Sequence, residues 1–137
     1  MNKHLYLRAY LAGIALPTMF LLIGLSVFII TRFVYHFPVA IERLLVFPMA
    51  LVPNLWGAWN MLYARLGPDH RLPLGIHGAV LFFLVAPIGL MVARALDIWI
   101  VTAMPTFILT AFPVVLIVYY LAWKHIVGFF NRLLSVT

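Results

Sequence analysis

The chain has 137 residues, of which 66% are hydrophobic and 9% charged, and its nine Lys and Arg against three Asp and Glu leave a net charge of +6. A water-soluble domain carries about 25% charged residues, and a chain this poor in polar side chains cannot cover a core of its own size. Zero Cys excludes disulfides, thiolate metal sites, iron–sulfur ligation and thiol catalysis together.

The charges fall into clusters separated by four uncharged stretches: Ala9–Thr31, Leu44–Ala64, Leu72–Ala93 and Ile98–Trp123. At 1.5 Å per helical residue each reaches about 31–39 Å, enough to cross a hydrocarbon core of ~30 Å. The expectation is an all-α membrane protein with four transmembrane helices in an up-down-up-down bundle, forming one domain over residues 1–137. The spans are set at 9–35, 39–66, 72–96 and 98–123, with a short amphipathic helix over 124–134. The first span is too long for the apolar core of a cleaved signal peptide, and no small-residue cleavage site follows it.

The first helix runs past Arg32, whose long side chain snorkels to the interface, and stops near Tyr35-His36-Phe37-Pro38. Pro38 then opens the second span, with Glu42 and Arg43 in its first turns. That span carries Pro48, Pro53, Asn54, Trp56, Gly57, Ala58, Trp59 and Asn60 within a short stretch. Trp56 and Asn60 are four apart and share a face, while Pro53, Gly57 and Asn60 form an adjacent stripe. An Asn deep in lipid is costly without a partner, so Asn54 and Asn60 should face protein or a wet cavity. Asn54, Trp56, Gly57, Trp59 and Asn60 are therefore the candidates for a helix-packing face or a ligand pocket. Interhelical hydrogen bonding is the plainer alternative, with Gly57 and Ala58 permitting close approach.

Gly67-Pro68-Asp69-His70-Arg71 marks the next turn, and Ala95-Leu96-Asp97 links the last two spans with Asp97 as an N-cap. Pro17, Pro48, Pro53, Pro87, Pro105 and Pro113 fall within the spans, so every helix is expected to be proline-kinked. After Trp123, Ile126, Phe129, Phe130 and Leu133 share one face of the tail, opposite Lys124, Gly128, Asn131 and Arg132. Six basic residues (Lys3, Arg8, Arg65, Arg71, Lys124 and Arg132) lie on the side of the termini and three on the other. The positive-inside rule then sets both termini in the cytoplasm of a multi-pass membrane protein.

Glu42, Asp69 and Asp97 sit at span ends, so no acid stands at mid-membrane where proton or cation coupling usually needs one. No nucleophile, metalloprotease, phosphate-loop or acidic metal motif is present, which leaves no catalytic residues to name. Haem is the one cofactor alternative. Its iron needs two imidazoles at matching depth, and His77 with His125 or His70 supplies the candidates for a haem b. No metal site is expected otherwise. The scattered cations suit anionic lipid head groups rather than nucleic acid. The functional expectation is a subunit or accessory protein of a membrane complex, working through helix and lipid contacts with the bilayer, other copies or other membrane subunits. The alternatives are an oligomeric small-solute channel or transporter with a pathway around the second helix, and a haem-binding anchor using His77.

Overall fold

The structure is a computed structural model that describes residues 4–38, 50–66, 72–95 and 105–136. All regular structure among these residues is helical: α1 spans Leu5–Phe33, α2 Val52–Arg65, α3 Leu74–Ala95, α4 Pro105–Leu121 and α5 Gly128–Leu133. A π-helical segment, Ala122–Val127, joins α4 to α5 without a break. Three stretches are long and apolar enough to cross a membrane: Leu5–Phe33, Leu74–Val92 and Thr110–Leu133. The 14 residues of α2 reach only ~21 Å. The earlier part of the expected second span, with Glu42, Arg43 and Pro48, lies outside the described residues. So do the turn at 67–71 and the link at 96–97, with Asp69, His70 and Asp97.

Pro17, Pro87 and Pro113 sit inside continuous helices. Pro53 is the second residue of α2, after two π-helical residues, and Pro105 is the first described residue of α4. Arg32 lies in the last turn of α1 with its guanidinium about 6 Å from the rings of Phe28 and Phe33. Beyond it, Val34 caps the helix and His36 adopts a left-handed φ of 54°. The end of α5 is a Schellman motif: Val136 N–H donates to Asn131 O, Ser135 N–H to Arg132 O, and Ser135 takes φ 52°.

The molecule is apolar outside, and beside its apolar core it buries two polar amides completely. Phe20, Phe33, Met91 and Leu133 are exposed, whereas Asn60 and Asn131 are fully buried. Such an arrangement suits a hydrocarbon solvent, where exposed apolar surface carries no penalty and polar groups must find partners within the protein. α2 runs antiparallel to α1, because Gly57 lies against Tyr10 and Ile14 while Asn60 reaches back to Ala9. The start of α3 meets the C-terminal end of α2 through Trp59 and His77, and Gly75 and Gly78 of α3 lie against Tyr120 and Trp123. The core gathers at this end, where Trp56, Leu81, Val85, Trp123 and Val127 pack together. A second cluster joins Ala9, Ala64 and Val136, so the start of α1 and the end of α5 lie side by side.

The tail departs from the expected arrangement. Gly128 and Asn131, from its polar side, are buried, while Phe129 and Leu133, from its apolar side, are exposed. In lipid the phenyl rings need no protein cover, and the amide of Asn131 does. The stretch belongs to the continuous helix through Thr110–Leu133.

Candidate functional site

The α1–α2 crossing is a close contact, and two glycines make it so. A Cβ on Gly13 would stand 2.6 Å from the Trp56 carbonyl oxygen and 2.9 Å from the Gly57 Cα. One on Gly57 would strike the Tyr10 ring at 2.5 Å and Ile14 Cγ2 at 2.8 Å. Small residues are how helices approach closely in lipid, where no hydrophobic drive brings them together. Ala9, Ala12, Gly13 and Pro17 make up the buried stripe on α1, facing Pro53, Trp56, Gly57, Asn60 and Ala64 on α2.

That approach sets Asn60 within reach of two other elements. Its Nδ2 donates to Ala9 O at 2.7 Å and to Asn131 Oδ1 at 2.7 Å, while its Oδ1 accepts from Asn131 Nδ2 at 3.1 Å. One amide thus ties α1, α2 and α5 at a single point. Both Asn60 N–H groups are engaged, which removes the desolvation cost an unpaired buried amide would carry. Nearby, Arg8 Nη1 donates to Leu134 O at 3.2 Å, a second link between the chain's two ends. Toward the start of α2, the Tyr10 hydroxyl donates to Asn54 Oδ1 at 2.6 Å and Asn54 Nδ2 donates to Ala50 O.

An aromatic wall stands on the other side of α2. Trp56 meets Tyr119 edge-on with centroids 5.1 Å apart and Trp123 at 5.4 Å. Trp59 donates its indole N–H to the His77 carbonyl at 3.0 Å. The buried His77 ring is met edge-on by Tyr63 at 4.9 Å and by Trp59 at 6.4 Å. His125 sits in different surroundings. It is exposed, on the π-helical segment, along the rim of an apolar cleft of about 580 Å³. The cleft opens between Leu16, Pro17, Phe20 and Leu21 of α1 and Val118, Ala122 and Ile126 of the C-terminal helix, with Trp56 and Tyr119 at its back.

Of the residues singled out on the second helix, the structure brings Gly57 and Asn60 into one buried contact and sets Trp56 in the wall beside it. Trp59 is half-buried against α3, and Asn54 is exposed but bonded to Tyr10. Asn131 was missed as a member of this group. Its signal was there: the one amide among the basic residues of the tail's polar face, whose natural partner in lipid is another amide. Among the described residues no group of three or more His, Asp or Glu is placed to hold a metal ion. No family model, no curated protein and no solved structure matches the chain.

Proposed function

We propose that this chain is a four-span membrane subunit, with both ends cytoplasmic, that serves a larger membrane assembly through helix–helix and lipid contacts. The single observation that carries this is where the polar chemistry goes. The buried amides Asn60 and Asn131 are spent on holding helices to one another, and the surface left over at membrane depth is apolar. From Thr18 to Phe33, α1 buries only Phe28. Gly24 on that stretch has nothing within 4 Å of where its Cβ would be. With so few neighbours among the described residues, this stretch offers a face to lipid, to other membrane subunits or to a second copy of the chain.

Support for four crossings comes from parity. The start of α1 and the end of α5 share one end of the molecule, through Arg8–Leu134 and the Ala9, Ala64 and Val136 cluster. That neighbourhood supports an even number of crossings, with α2 and the residues before it supplying a fourth beside the three span-length helices. Support for the cytoplasmic assignment comes from charge. Arg8, Arg65, Lys124 and Arg132 gather at that end, against Arg32 and Arg94 at the other. The second-helix amides already engage protein partners, and aromatic rings close on His77. Neither a solute pathway there nor a haem gains support from these contacts.

Mass analysis of the complex released gently from native membranes tests the proposal. The expected result is a fixed stoichiometry with other membrane polypeptides or further copies, and Gly24→Phe should lower it without lowering the chain's own thermal stability. Release as a lone, partner-free monomer would overturn the subunit role.

A further inference from the structure

We propose that the cleft between α1 and the C-terminal helix binds one acyl chain of an anionic phospholipid, whose phosphate is held by cations at the basic end of the bundle. The site rests on the membrane-spanning role argued above and adds a specific bound lipid to it.

The cleft measures about 580 Å³, within the range of ~300–1,000 Å³ over which proteins enclose small ligands. Its sides are hydrocarbon: Leu16, Phe20 and Leu21 face Val118, Ala122 and Ile126. Water entering it would find too few partners for its hydrogen bonds, and an empty gap would forfeit dispersion contacts on both walls. At membrane depth an acyl chain fills it without either penalty. Along the C-terminal helix the lining runs from Val118 to Ile126, ~12 Å, the proportions of a slot rather than a bowl.

Charge gives the occupant its polarity. His125 lines the cleft, with Ile126, at the end nearer the chain termini. Further along the same helix lies the exposed Arg132, and the bond from Arg8 to Leu134 O brings a second guanidinium to the end of that helix. A phosphate at the interface would meet both guanidinium groups and the imidazole while its chain lies in the slot. The π-helical turn favours this geometry: its wider coil keeps Trp123 and Val127 buried inward while His125 stays on the rim.

The test uses the full chain in nanodiscs containing phosphatidylglycerol or phosphatidylcholine with a photoreactive diazirine midway along one acyl chain. Adducts are mapped by mass spectrometry. With phosphatidylglycerol, adducts should concentrate on cleft residues such as Leu21 and Ile126 rather than on outward residues such as Ile29 and Ile30. Leu21→Trp, which fills the slot, should abolish that preference, and Val27→Trp on the outer face should leave it intact. Arg132→Gln keeps the slot and should weaken phosphatidylglycerol retention about fivefold in native mass spectra. Adducts spread evenly over all exposed apolar residues, equal labelling by the two lipids, or displacement by a prenyl quinone but not by unlabelled phosphatidylglycerol would each overturn the site. Failure of the chain to enter nanodiscs at all would overturn the membrane reading with it, so the two failures are distinguishable.

Discussion

At the scale of single residues, the contributions of the paired amides can be weighed against each other. Asn60 makes three hydrogen bonds to other elements and Asn131 makes two, both of them to Asn60. Interhelical hydrogen bonds in membranes average about 0.6 kcal/mol and reach about 1.7, because the unfolded chain in lipid also finds partners. Asn131→Leu should therefore cost about 1 kcal/mol and Asn60→Leu about 2 kcal/mol, since the latter also gives up the Ala9 carbonyl. The double substitution orphans neither amide and should cost less than the sum. Unfolding free energies in bicelles measure all three, and strict additivity would show that the two side chains do not interact. The glycines give a second contrast. Gly13→Ala drives a methyl group against the backbone of α2 and should cost about 1–3 kcal/mol, as overpacking does elsewhere. Gly24→Ala meets nothing and should be neutral or slightly stabilising, since Ala is the better helix former. Comparable losses of thermal stability at the two positions would rule out the close crossing as their cause.

At the scale of elements, the π-helical segment sets the rotation of everything after it. Six π residues hold about one more residue than the same length of α-helix, so the segment can lose one without turning α5. Deleting the exposed Lys124 should leave Val136 beside Ala64. Deleting Phe129, inside α5, should rotate the following residues by ~100° and carry Asn131 away from Asn60. The chain has no Cys, so Ala64→Cys with Val136→Cys gives a clean thiol cross-linking readout. Cross-linking is expected to persist in the first deletion and disappear in the second, and the reverse would sink this account of the segment. The same elements show what could be read in advance. Three long apolar helices were legible because charge-free windows measure length directly, and the stripe through Pro53, Gly57 and Asn60 followed from helical spacing. The inverted tail was not legible, because a face of Phe and Leu opposite Lys, Asn and Arg has the same periodicity whether the neighbour is lipid or protein. Only the partner decides which face turns in, and for Asn131 that partner lies 71 residues away. The π turn left no periodic trace either, since one extra residue within six is hidden in so apolar a stretch.

At the scale of the whole molecule, everything depends on which ends share a side of the membrane. Arg8 and Leu134 are bonded, which no fold with its two ends across a bilayer could allow. Reporter fusions at both ends should therefore report the same compartment, and the excess of Arg and Lys there predicts that it is the cytoplasm. Substituted cysteines sharpen this, with His36→Cys beyond the far end of α1 and Leu66→Cys beyond the end of α2. A membrane-impermeant thiol reagent added outside intact cells should label the first and spare the second. Labelling of both would mean that the stretch between α1 and α2 does not return across the bilayer. The contact between Arg8 and Leu134 would then have to form after one end had changed sides, against a cost of ~2.5–3.5 kcal/mol for every Arg or Lys drawn through the centre. With several cations gathered at that end, the proposed even count would let the chain insert helix by helix and close its polar contacts on one side.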